Sequence, residues 1–120
     1  MEWKLSDDRP IWLQLSQQLA RRILVGAYPP GSRLPSVREL AADAGVNPNT
    51  VQRALAELEG TGLLHTQRTA GRFVTEDTAV IQSAKEDLAR SRTREYLESM
   101  AQLGYDRQQV KALLEEWKEE

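Results

Sequence analysis

Asn47, Pro48, Asn49 and Thr50, followed closely by Gln52 and Arg53, carry the densest recognition chemistry in this chain. The amides of Asn and Gln can meet adenine at two points, and an arginine guanidinium can do the same with guanine or grip a phosphate. At 100° per residue, Asn49 and Arg53 point away from the apolar stripe of Val51, Ala54, Leu55 and Leu58, with Gln52 and Ala56 beside them. The exposed face therefore suits the edges of base pairs, and small Ala56 lets a helix come close to a groove. Taken alone, Arg53 is better explained by a solvated pair with Glu57 one turn later, a contact of about 0.3–0.5 kcal/mol. That pair does not account for the whole set.

Two short elements must hold these residues. Val37, Leu40, Ala41 and Ala44 fall at i, i+3, i+4 and i+7, the spacing of one helical face. Ser36 and Glu39 have the spacing of a capping box at its start, and Gly45 ends it in a left-handed turn. Asn47 is a strong N-cap for the next helix, with Pro48 at a position whose N–H would have no intrahelical partner. Backbone N–H groups in that first turn suit phosphate. Neither helix is stable alone at this length, so the matched apolar faces must pack across the turn as a helix-turn-helix.

Ahead of this pair, Ile11, Leu15, Leu19 and Ile23 recur every four residues before Gly26, which predicts a helix completing a three-helix core. Trp12 fits either that core or a dimer surface. Behind it, Leu63–Thr66 and Arg72–Thr75 read as two strands around residues 67–71, a β-hairpin anchored by Leu64, Phe73 and Val74. Arg68 and Arg72 then lie near its tip, within reach of phosphate or a minor groove.

From Tyr28-Pro29-Pro30-Gly31-Ser32-Arg33-Leu34-Pro35-Ser36-Val37-Arg38-Glu39-Leu40-Ala41, through Gly45-Val46-Asn47-Pro48-Asn49-Thr50-Val51, to Ala54, Leu55, Leu58, Gly62 and Leu63, the chain resembles the signature of the GntR family. The resemblance covers residues 10–75. It implies a bacterial winged-helix transcription regulator, probed on DNA through Arg38, Asn47, Asn49, Thr50 and Gln52. Arg53 joins that set on the helical wheel, and Ser36 can touch phosphate as well as cap. The family's hairpin tip usually carries a glycine directly after its basic residue, whereas here Thr69 and Ala70 follow Arg68.

Residues 1–76 hold nine basic and eight acidic side chains, and residues 77–120 hold seven and ten, which places a boundary near Asp77. In the second part, Ile81, Ala84 and Leu88 begin a helical stripe that polar Ser91–Glu95 interrupts, and Leu97, Met100 and Leu103 resume it before Gly104, which together read as one long helix. Asp106 and Gln109 can open a last helix, whose Val110, Leu113, Leu114 and Trp117 again repeat at i, i+3, i+4 and i+7. Such a tail cannot bury its apolar face alone. It either pairs with its twin about a two-fold axis, with Leu88, Leu97, Val110, Leu113, Leu114 and Trp117 at the contact, or folds back onto its own winged helix. Its length resembles the YtrA branch of the family, which implies a short dimerisation tail in place of a large metabolite-binding domain. The expected architecture is mainly α with a small β-hairpin wing: a winged helix-turn-helix domain over 1–76 and a two-helix dimerisation tail over 77–120.

A homodimer of this kind would read a palindromic double-stranded DNA operator, with half-sites about one helical turn, ~10 bp, or a multiple apart. The overall balance of 16 basic to 18 acidic residues, net −2, supplies no bulk attraction to nucleic acid. That balance leaves a second reading open, a winged helix that binds protein. Enzymatic chemistry has little to work with: there is no cysteine, the one histidine is His65 in the first predicted strand, and no Cys/His cluster has zinc spacing. The expectation is therefore a non-enzymatic cytoplasmic repressor without cofactor or metal, signal peptide or membrane span. Family analogy alone adds a small-molecule effector, which no residue identifies.

Overall fold

The computed structural model describes residues 2–119, which form α1 (Ile11–Leu24), α2 (Val37–Ala44), α3 (Pro48–Gly60), β1 (Leu64–Gln67), β2 (Gly71–Val74), α4 (Thr78–Gln102) and α5 (Arg107–Glu116). Both predicted caps of the helix-turn-helix are present. The Ser36 hydroxyl accepts from the Glu39 N–H at 3.1 Å and the Glu39 carboxylate accepts from the Ser36 N–H at 3.2 Å. This contact also holds the Glu39 carboxyl below the usual range, the Ser36 backbone hydrogen bond being the larger cause. Gly45 takes φ 69°, and its N–H bonds the Ala41 carbonyl. Asn47 caps α3 through its side-chain oxygen, which accepts from the Asn49 N–H at 2.8 Å.

Leu15, Leu19 and Ile23 of α1, Leu40 and Ala41 of α2, and Val51, Ala54, Leu55 and Leu58 of α3 share one buried core with Tyr28, Leu34, Leu63, Leu64 and Val74. The strands pair antiparallel from Leu64 opposite Val74 to Gln67 opposite Gly71, one residue nearer the tip than their sequence limits. The ladder still reaches the expected base, because the Thr75 N–H bonds the Leu63 carbonyl at 2.9 Å. A further stretch, residues 31–34, lies along the other edge of β2: the Leu34 N–H bonds the Arg72 carbonyl at 2.9 Å and the Val74 N–H bonds the Ser32 carbonyl at 2.8 Å. The loop entering α2 thereby ties the wing to the core.

The described residues divide into two compact units, one ending at Ala84 and one beginning at Lys85. The first reaches beyond Asp77 because Val80, Ile81 and Ala84, in the opening turns of α4, pack against its core. In the second unit, the polar run Ser91–Glu95 leaves α4 unbroken. These residue types tolerate helix, and the Thr93 hydroxyl donates to the Ala89 carbonyl one turn back. Asp106 and Gln109 form the second capping box, opening α5. Val110 is already buried, whereas Leu114 and Trp117 are 62% and 77% exposed. Leu88 and Leu97 are half-buried and Leu113 is exposed.

Candidate nucleic-acid interface

The first unit gathers its expected contact residues around the turn between α2 and α3. Ser36 stands at the N-cap of α2 and Arg38 two residues further on, exposed and without a hydrogen-bond or ion-pair partner among the described residues. The Ser36 oxygen accepts from Glu39, which leaves its own hydroxyl proton to donate. Across the turn, Asn47 at the cap and Asn49, on the side of α3 opposite Val51, Ala54, Leu55 and Leu58, are exposed, and Thr50 is half-buried at the flank. The amide donors of this first turn are occupied within the chain. Asn49 N–H meets the Asn47 side chain, Thr50 N–H bonds the Asn47 carbonyl at 3.0 Å, and Pro48 has no N–H. A phosphate here would therefore meet side chains, in place of the backbone amides expected from the sequence.

Two arginines are held by neighbours that sequence spacing does not reveal. The Arg53 guanidinium lies over the Trp12 ring of α1, 4.1 Å from its centroid, which replaces the expected Glu57 pair and gives Trp12 a place beside the recognition face. Guanidinium stacked on a ring keeps its in-plane N–H donors free at the edge. Arg72 does not reach outward from the wing tip. It occupies β2 opposite Thr66, and its Nε donates to Glu59 Oε1 at 2.7 Å, while its Nη2 donates to Gln52 Oε1 at 3.0 Å. The Thr66 hydroxyl donates to the same Glu59 oxygen. Glu59 is held below the usual carboxylate range chiefly by that hydroxyl, then by Arg72, against partial desolvation.

The wing tip itself is the three-residue turn Arg68-Thr69-Ala70, with Arg68 exposed and without a partner among the described residues. Arg68 is thus the basic side chain the hairpin presents to solvent. His65 stacks against Phe73, ring centroids 6.1 Å apart, a packing role in the hairpin. No cluster of His, Cys, Asp or Glu suited to a metal occurs among the described residues. No described helix is long and apolar enough to cross a membrane.

Comparison with known proteins places this geometry in context. The pattern of the family described as "Bacterial regulatory proteins, gntR family" matches residues 12–74. The uncharacterized HTH-type transcriptional regulator YhcF of Bacillus subtilis is 34% identical over 110 residues, covering 92% of this chain and 91% of YhcF. The HTH-type transcriptional repressor YtrA of the same organism is 46% identical over 68 residues, 57% of this chain and 52% of YtrA. Among solved structures, a GntR family transcriptional regulator from Listeria monocytogenes superposes with TM-score 0.89 at 36% identity, covering 95% of this chain and all of that one. The DNA-binding domain of AraR in complex with operator ORX1 superposes with TM-score 0.55 at 28% identity over 62% of this chain and 92% of that one.

Proposed function

The chain belongs to the GntR family of bacterial regulatory proteins and is a DNA-binding transcriptional regulator, and on that premise we propose that it is a cytoplasmic repressor that binds a palindromic operator as a homodimer. The observation that carries the reading is the polar start of α3, with exposed Asn49 and Arg53 set opposite its buried Val51, Ala54, Leu55 and Leu58, exposed Gln52 and half-buried Thr50 at the flanks and exposed Asn47 at the cap. Asn49, Gln52 and Arg53 face base edges in the major groove, while Ser36, Arg38, Asn47, Thr50 and wing Arg68 hold the phosphates on either side. Arg72 enters only through Gln52. Two relatives support the finer points: YtrA is named a repressor, and the AraR domain was solved on an operator.

The homodimer rests on the apolar side chains that α5 leaves exposed, Leu113, Leu114 and Trp117, with Leu88 and Leu97 on α4. Val110 of the same stripe is covered within the single chain. Selection of bound fragments from genomic DNA, followed by anisotropy titration, tests the proposal. It is expected to recover one inverted repeat, and Asn49→Ala to lose about 1–3 kcal/mol on it. Recovery of no sequence would mean that this winged helix binds a protein instead. An undiminished affinity for Asn49→Ala would remove the start of α3 from the contact.

A further inference from the structure

We propose that Arg72 is a positioning residue that fixes the direction of the Gln52 amide, so that Gln52 reads its base as a hydrogen-bond donor and selects guanine over adenine. The inference rests on the DNA reading of α3 and adds which base edge one residue takes. Its geometric basis is the chain of contacts from wing to recognition helix: Glu59 Oε1 accepts from Arg72 Nε at 2.7 Å, and Gln52 Oε1 accepts from Arg72 Nη2 at 3.0 Å.

A guanidinium has donors only, so it can meet just one end of an amide. The Gln52 carbonyl oxygen must face the wing, and its NH₂ group must lie on the other arm of the amide, turned from the arginine. Free glutamine pairs with adenine by accepting from N6 and donating to N7, which requires the carbonyl. Arg72 takes one lone pair of that oxygen and holds it toward the wing, so the end of the amide left to meet a base is its NH₂ group with two N–H donors. Guanine presents two acceptors side by side in the major groove, O6 and N7, and matches them.

Arg72 itself cannot easily leave for a phosphate. Its side chain is 25% exposed, its charge is met by Glu59 at 32%, and the Thr66 hydroxyl holds the same carboxylate from β1. Two strands and the last turn of α3 thus fix the guanidinium in place. The three residues concerned come from α3, β1 and β2, so the wing takes part in base choice without touching the base.

The test combines selection from random DNA with titrations over a range of salt, using the full chain and its Gln52→Ala, Arg72→Met and Glu59→Gln variants. Wild type is expected to prefer guanine at one position in each half-site, and Gln52→Ala to erase that preference. Arg72→Met should shrink the guanine-to-adenine ratio there by about tenfold. Its salt slope should stay unchanged, because Arg72, held on Glu59, contacts no phosphate. Glu59→Gln removes that hold. It should lower the same ratio and steepen the slope by up to about 0.9 for each phosphate that the released Arg72 reaches. This second variant decides the matter should Arg72→Met lower the melting temperature.

The proposal is overturned if Arg72→Met weakens every site alike and flattens the salt slope with the ratio intact, the signature of a phosphate contact. Adenine at the Gln52-dependent position of the wild-type site also overturns it. A wild-type chain that enriches no sequence removes the DNA reading itself, an outcome distinct from both.

Discussion

The side chains at the start of α3 and the pair behind it were read from the sequence with very different success. The outward placement of Asn49 and Gln52 follows from a helical wheel, because neighbours on a helix are set by local geometry. The Glu59–Arg72 pair joins residues thirteen apart across two elements, and the Arg53–Trp12 stack joins α3 to α1, so neither leaves a periodic trace. The pair has a thermodynamic signature. Glu59 titrates below its usual range in the folded chain, so folding binds fewer protons there than the unfolded chain does. Its stabilisation is complete above the unfolded pKa and is lost as pH falls through the folded one. Glu59→Gln is expected to lower stability near neutral pH by ~1 kcal/mol, a figure already reduced for partial exposure. The difference from wild type should begin to narrow as pH falls past the unfolded glutamate value, about 4.3, and close only once the lower folded value is passed. Urea titrations near neutral pH and below that folded value check this, and a gap of equal size at each would show that ionisation of Glu59 contributes nothing.

Among the elements, the caps and turns were legible because their chemistry lies within three or four residues. Ser36 with Glu39, Gly45, Asn47 with Pro48, and Asp106 with Gln109 all occupy the expected places. The docking of residues 31–34 along β2 was not, since a non-local strand edge is set by whatever the core brings beside it. The unbroken α4 agrees with the single long helix read from the sequence although its stripe lapses at residues 91–95: an apolar stripe reports what a helix buries, and a mostly solvated helix need not keep one. Two glycines near the recognition helix should respond oppositely to one substitution. Gly45 sits at φ 69°, where a Cβ is strained although no atom obstructs it, so Gly45→Ala should cost roughly 1–2 kcal/mol. Gly60 is helical and faces open space, so Gly60→Ala should stabilise by about 0.5–1 kcal/mol. Thermal melts of the two variants should move to opposite sides of wild type. A fall for Gly60→Ala would mean that α3 ends earlier in solution.

At the scale of the whole molecule, net charge and exposed apolar surface set the terms of binding. A chain at net −2 gains little from the general field of a duplex, so one winged helix with a few uncompensated arginines such as Arg38 and Arg68 holds DNA weakly by itself. Joining two of them turns the second contact into an intramolecular event, which raises affinity for paired half-sites by about 100-fold or more. In the proposed dimer the second unit would supply the joint: Leu103 at 72%, Leu114 at 62% and Trp117 at 77% are exposed there, and Val110 is buried. Leu114→Asp places a charge in that surface and leaves the core of the first unit untouched. By sedimentation at micromolar concentration, wild type is expected at twice the 13.6 kDa chain mass and the variant at the single mass. The variant should still bind an isolated half-site as wild type does, while losing most of the advantage on the full palindrome. A single-chain mass for wild type would refute the dimer. A variant that keeps both the double mass and the palindrome affinity would place the interface elsewhere on the chain.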